Sequence, residues 1–429
     1  MFSDLDFPQS DLPRTVADIE VDWEESIAEV PPLLLGANDY RVTNLKTGAN
    51  SLMHDRVRKL GLRMMRIRYP HLSSILTDSV TQTWDVEALK ETLDPFFYGN
   101  THLVFNIPTW PAWMKQDHNR LLDPSEYRNY AQFCARLVGI LNLKLRLEIE
   151  YWEPLGALEA RYQRADQLQE LWKIFNIVST AMRLKDPRIK IGGPSSTNYD
   201  TQVITSFLQY CRFNVDFVCW NDYSFNSIYE PTEKLLAATP DYFQRVRTLQ
   251  SLVRQYIPNR HVPLLLSEYN IDYGNSHGRH DEHIGAIWFA SVIKHLIESG
   301  LEMAAISRFK DAANGLIGRD DRFRPLATVF VWLHQHLMGQ VFTTTSTHPS
   351  IEVLATRPDG RNYRMLLINK SASDEIISLQ PREILMSQQI EILTLDRSGV
   401  DRHYLPSIDL YRRPWVLPAH SLRLLLFTR

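Results

Sequence analysis

Short apolar runs alternate with longer amphipathic stretches along most of this chain. Strand-like runs recur at Leu33–Ala37, Met64–Tyr69, His102–Ile107, Leu145–Glu150, Ile189–Gly192, Phe217–Asn221, Pro263–Glu268 and Met303–Ser307. Each is too short for a helix and suits a buried parallel strand. The stretches between them repeat at helical spacing. Tyr127, Tyr130, Cys134, Leu137 and Leu141 share one face, as do Leu168, Leu171, Phe175, Val178 and Met182 in a helix that should stop near Asp186-Pro187. A third runs from Tyr242 to Ile257 and ends before Pro258. Eight strands alternating with helices predict an α/β chain folded as a (β/α)8 TIM barrel over residues 32–337. The rival, an open doubly wound sheet, calls for a glycine-rich phosphate loop after its first strand, and Gly36-Ala37-Asn38-Asp39 is not one.

The pattern changes at both ends. Beyond residue 338, Ile351–Ala355, Tyr363–Ile368, Ile390–Leu393 and Leu422–Phe427 read as strands between turn-rich loops, and 338–429 is expected to form an accessory β-sandwich. Residues 1–31 hold an acidic lead-in and the alternating run Val16–Trp23, a strand with no helix of its own that should join the sandwich.

Composition narrows the function classes. Hydrophobic residues make up 44% and charged residues 23% of 429, which is ordinary globular usage. The formal charge is −3 and no basic run appears, so neither nucleic acid nor an anionic membrane is an expected partner. Three cysteines, Cys134, Cys211 and Cys219, do not suggest a disulfide framework. The residues after Met1 lack a basic segment followed by an apolar one, so a cytoplasmic location is expected; a secreted chain trimmed of its leader would look the same.

Two glutamates carry the chemistry. Glu153 closes the fourth strand region in Glu150-Tyr151-Trp152-Glu153-Pro154, and Glu268 ends the seventh in Ser267-Glu268-Tyr269-Asn270. Carboxylates at the C-terminal ends of barrel strands face each other across the mouth, where catalytic groups of this architecture sit. Such a pair matches glycosidic bond cleavage: one carboxyl protonates the leaving oxygen, and the other meets the oxocarbenium-like centre. The structural alternative is a pair of salt-bridged glutamates.

The run Glu153-Pro154, then Asp186-Pro187-Arg188-Ile189-Lys190-Ile191-Gly192-Gly193-Pro194, then Ser267-Glu268-Tyr269-Asn270, resembles glycoside hydrolase clan A and is most similar to family 39. The resemblance implies Glu153 as acid/base, Glu268 as nucleophile and retention of configuration. It also implies a sandwich built from the C-terminus plus one N-terminal strand. Arg66 matches the clan's strand-two arginine, and Tyr223 matches a tyrosine that hydrogen-bonds the nucleophile. Four positions depart from the pattern: Trp152 replaces an asparagine that binds the hydroxyl next to the reacting carbon, Asn221 and Arg68 each replace a histidine, and Phe309 replaces a tryptophan platform.

Other candidates keep two readings. Arg66 is either a charge partner of the nucleophile or a structural ion pair. Arg68 shares its face and would read an acidic sugar, or pair with Glu148 or Glu150. Trp110 and Trp113 are either sugar platforms at the rim or loop packing. His277, His280, Glu282 and His283 cluster after the seventh strand in a run that suits a lid or a solvated face better than a metal site. No metal or other cofactor is expected. The sequence therefore predicts a retaining glycosidase acting on an oligo- or polysaccharide, with a carbohydrate-binding protein of the same fold as the alternative.

Overall fold

A computed structural model describes residues 16–39, 49–68, 85–93, 101–224, 230–273, 278–311, 314–318, 320–381 and 389–428. Eight parallel strands close a barrel: β2 (Gly36–Asp39), β3 (Met64–Arg68), β4 (His102–Ile107), β5 (Tyr151–Pro154), β6 (Lys190–Ser196), β7 (Phe217–Tyr223), β8 (Leu264–Asn270) and β9 (Met303–Ser307). The order is sequential, with β9 pairing back onto β2. Helices such as Tyr127–Val138, Leu168–Lys185, Asp241–Tyr256 and His283–Glu298 form the outer layer.

Two barrel strands begin later than the apolar pattern suggests. Residues 32–34 form a 3₁₀ turn before β2. Leu145–Glu150, expected to be the fourth strand, is irregular, and pairing begins only at Tyr151. The cause is local. Arg146 and Glu148 adopt left-handed backbone conformations (φ 57° and 52°), and the Asn142 side chain bonds both the N–H and the carbonyl of Ile149 at 2.9 Å, so this segment hydrogen-bonds back to the preceding helix instead of to a strand.

Period-two alternation sorts the barrel side chains into two cores. Met64, Val104, Tyr151, Phe217, Cys219, Leu265, Met303 and Ala305 fill the interior as one buried cluster. The intervening positions, among them Phe105, Trp152, Val218, Trp220 and Leu266, join the core shared with the helices.

The second unit is a nine-stranded, mostly antiparallel sheet in the order β15-β14-β17-β12-β11-β10-β1-β13-β16. Its members are β1 (Ala17–Glu29), β10 (Gln340–Ser346), β11 (Ile351–Arg357), β12 (Asn362–Asn369), β13 (Glu375–Pro381), β14 (Ile390–Asp396), β15 (Gly399–Leu405), β16 (Trp415–Leu417) and β17 (Ser421–Thr428). The N-terminal strand β1 lies between β10 and β13. One face of the sheet closes over its own core around Trp23, Tyr363 and Trp415. The other, through Val341, Leu354, Leu366, Leu393 and Leu424, merges with the barrel's helical layer. Among the described residues no helix is long and apolar enough to cross a membrane.

Candidate active site

Two residues above the apolar floor, the inward positions turn polar on every strand. Asn38 (β2), Arg66 (β3), Asn106 (β4), Glu153 (β5), Ser195 (β6), Asn221 and Tyr223 (β7), Ser267 and Glu268 (β8) and Ser307 (β9) form a ring at the C-terminal end of the barrel. Strand β8 contributes two consecutive residues because its register with β7 slips there, Trp220 opposing Leu266 and Asn221 opposing Glu268. Such a bulge re-aims side chains that strict alternation would send to opposite faces.

Arg66 holds the ring together. Its guanidinium meets Glu153 Oε2 through Nε at 2.8 Å and Nη2 at 2.7 Å, and Glu268 Oε1 through Nη1 at 2.7 Å. The same group donates to Asn38 Oδ1 at 2.9 Å and to Ser195 Oγ at 3.1 Å. Arg66 is 1% exposed, Glu153 0% and Glu268 2%, so two carboxylates share one buried cation. Leaving either acid in this environment without that cation would be costly.

The two carboxylates have different surroundings. Glu153 Oε2 accepts from Asn106 Nδ2 at 3.0 Å and from Ser195 Oγ at 3.2 Å, and its Oε1 accepts from Ser267 Oγ at 2.8 Å. Glu268 Oε2 accepts from Tyr223 at 3.0 Å, and the tyrosine hydroxyl also reaches Ser307 Oγ at 3.1 Å. Arg68 Nη1 lies 3.6 Å from Glu268 Oε1. Below them, burial and then the charge of Glu153 push the Cys219 thiol well up, leaving it an inert part of the floor.

The backbone beside Glu153 is tightly constrained. Leu155, Ala157 and Ser195 all have left-handed φ, at 65°, 60° and 52°. Leu155 N–H bonds the Ile107 carbonyl and Ala157 N–H the Ser195 carbonyl, both at 2.8 Å, which ties the turn after β5 to its neighbouring strands. Non-glycine residues in this region concentrate where a site over-determines its geometry.

The ring therefore includes Glu153, Glu268, Arg66, Asn221 and Tyr223, and Arg68 stands beside it against Glu268. Other expected site residues lie outside it. Trp152 is fully buried in the outer core; its ring packs 5.1 Å from Phe105 and its N–H donates to the Ile149 carbonyl, because alternation turns it away from the mouth. Phe309 is likewise fully buried, packed in the helical core. Trp110 is buried edge-on against Tyr130, and Trp113 packs against the same core, so loop packing accounts for both. His280 is fully buried, and burial holds its imidazole down at about 4. His277 lies outside the described residues. Among the described residues no group of histidine, cysteine or acidic side chains is arranged to hold a metal. Glu148 and Glu150 do not reach the ring; Glu150 pairs with Lys190 at 2.6 Å. Sequence reasoning overlooked Asn38, Asn106, Ser195 and Ser267, whose signal is their place two residues beyond an inward apolar position or at a strand bulge.

Residues 141–323 match the family described as Glycosyl hydrolases family 39. A β-xylosidase from Geobacillus stearothermophilus is 30% identical over 134 residues, which span 29% of this chain and 26% of that protein. The match thus covers about a quarter of the curated relative's length. Over nearly the whole chain the fold is similar to a monomeric β-xylosidase from Caulobacter crescentus CB15 (TM-score 0.72, 13% identity, covering 96% of this chain and 99% of that one). It is equally similar to a family 39 enzyme from Xanthomonas axonopodis pv. citri (TM-score 0.72, 13% identity, covering 96% and 97%).

Proposed function

We propose that this chain, a family 39-like glycoside hydrolase by its matches, cleaves a glycosidic bond with retention of configuration. The observation that carries the reading is the Arg66 guanidinium binding Glu153 and Glu268 at the mouth ends of the fourth and seventh barrel strands. In the first step Glu268 Oε attacks the anomeric carbon while Glu153 gives its proton to the departing oxygen, forming a glycosyl ester and releasing the aglycone. In the second, Glu153 takes a proton from water, the water oxygen attacks the same carbon, and the ester bond breaks to regenerate the Glu268 carboxylate. Tyr223 and Arg66 orient Glu268, and Asn106, Ser195 and Ser267 fix the rotamer of Glu153. The substrate class is an oligo- or polysaccharide, and β-xylosides are the first to try because the curated relative is a β-xylosidase.

A 2-deoxy-2-fluoro glycosyl fluoride tests this by trapping the ester. The expected result is a stoichiometric label that peptide mapping assigns to Glu268. A label on another residue refutes the assignment.

A second reading, a carbohydrate-binding protein of this fold without turnover, is favoured by one feature. Glu153 is fully buried and both its oxygens are already engaged, whereas a proton donor must reach the leaving group. Oligosaccharide binding by both the wild type and Glu153→Gln, with hydrolysis by neither, would select it.

A further inference from the structure

Four asparagines stand at the mouth of the barrel, and their amides have different fates. Asn38 donates to the carbonyls of Ser267 at 2.7 Å and Ala305 at 3.0 Å and accepts from Arg66. Asn270 donates to the Ser307 carbonyl and accepts from the Ile271 N–H at 2.8 Å. Asn106 donates to Glu153 Oε2 at 3.0 Å, although its Oδ1 is buried without a partner. The amide donors of these three are thus built into the frame. Asn221 is 5% exposed, and among the described residues its side-chain amide makes no hydrogen bond; its Oδ1 is buried and unpartnered.

A buried amide oxygen without a partner costs about 1–3 kcal/mol, and native structures rarely leave one so without a reason. The position of Asn221 suggests that reason. It opposes Glu268 across the β7–β8 pair, directly beyond the bulge, and shares its inward face with Tyr223, which holds the other oxygen of that glutamate. A group placed there sits beside the carboxylate that would attack the sugar. The amide offers one acceptor and one donor side by side, which fits a hydroxyl giving its proton to Oδ1 and receiving one from Nδ2.

We propose that Asn221 binds the sugar hydroxyl on the carbon adjacent to the reacting one, and that this contact sets specificity for sugars carrying that hydroxyl. The inference rests on the reading of Glu268 as nucleophile. As the reacting carbon becomes oxocarbenium-like, this hydroxyl grows more acidic, so its bond to Oδ1 strengthens in the transition state. A site built around such a hydrogen bond discriminates strongly against the analogue that lacks the hydroxyl, because the amide is then left unpaired again.

The test pairs a substitution with a change in substrate. Aryl β-xylosides, β-glucosides and α-arabinofuranosides are each compared with their 2-deoxy counterparts, for wild type and Asn221→Ala. The wild type should favour the hydroxylated member of its preferred pair by about 100-fold or more in kcat/KM. In Asn221→Ala that preference should fall below about tenfold, with the loss confined to the hydroxylated substrate. An equal loss on both members means that Asn221 only shapes the barrel, and overturns the inference. So does a wild type indifferent to the hydroxyl. If no aryl glycoside is turned over, the nucleophile reading fails separately, and calorimetry with iminosugars bearing or lacking the corresponding hydroxyl decides the role of Asn221. An affinity ratio that drops only in the variant supports it, and an unchanged ratio or no binding overturns it.

Discussion

Glu352 joins the barrel to the sheet domain, and its removal should be costly. It lies on β11, almost fully buried, and accepts from Ser291 Oγ at 2.6 Å, contacts His295 Nε2 at 3.1 Å and pairs with Lys370. Lys370 also donates to Thr239, 3.2 Å away, so the cluster links both units. Burial alone would push the Glu352 carboxyl up, but the hydrogen bond and charge of His295, with Lys370 and Lys294, outweigh it and hold the group well below the usual 4.5. Glu352→Gln leaves Lys370 buried without its counter-charge, which costs about 3–5 kcal/mol. At about 2.1 cal/mol/K of unfolding entropy per residue, a chain of 429 residues loses about 3–6 °C in Tm if it melts as one unit. The sign with pH follows from the lowered folded value. The stabilisation is complete above the unfolded value near 4.5 and is lost as pH falls toward the folded one, so the gap between wild type and variant should be full at pH 7 and narrow below about pH 4.5. Scanning calorimetry from pH 7 to 3.5 measures this. A Tm drop under 1 °C at pH 7, or a gap that widens on acidification, refutes the argument. The double variant Glu352→Met, Lys370→Met should recover most of the loss, since replacing both charges leaves neither unpaired.

The ring gives three further expectations. Arg66→Met leaves two buried carboxylates without their shared cation; it should cost about 3–5 kcal/mol in denaturant unfolding and lower glycosidase activity by about 1,000-fold, and stability within 1 kcal/mol of wild type would contradict the pairing. Tyr223→Phe removes one hydrogen bond to Glu268 and should lower kcat/KM by about 10- to 100-fold, in line with about 1.5–3 kcal/mol for a bond to a charged group; less than threefold would mean that the tyrosine does not act through Glu268. Phe309→Ala opens a cavity in the helical core and should cost about 3–5 kcal/mol of stability with KM unchanged, whereas a raised KM at unchanged stability would restore the sugar-platform reading.

The barrel was legible because its signal repeats eight times, so an error in one strand does not alter the count. That error occurred at Leu145–Glu150, where the apolar pattern is strand-like but two left-handed residues and the Asn142 side chain hold the chain out of the sheet. Glu153, Glu268, Arg66 and Tyr223 could be read from strand ends and from the resemblance to family 39. Asn38, Asn106 and Ser195 could not, since each acts through a partner more than 25 residues away in the chain, and nothing in its neighbouring residues marks that partner. Trp152 stands outside the ring for a different reason: the resemblance sets it where the clan has a substrate-binding asparagine, but strand alternation here turns it into the outer core.

On a strand, neighbours in sequence face opposite sides unless the register slips. Strand β5 runs without a slip: Tyr151 and Glu153 point inward, and Trp152 goes to the outer core. Strand β8 slips by one residue, and Ser267 and Glu268 both enter the ring. A polar residue at position 152 would therefore need a second bulge on β5 to reach a substrate, so the change to tryptophan there is a packing event in the outer core. On the proposed function, the hydrogen bond to the sugar that such a residue supplies in the clan would come from another strand. Among the described asparagines of the ring, Asn221 meets that requirement with its whole amide uncommitted, and the β8 bulge that brings Glu268 inward also sets the two opposite each other.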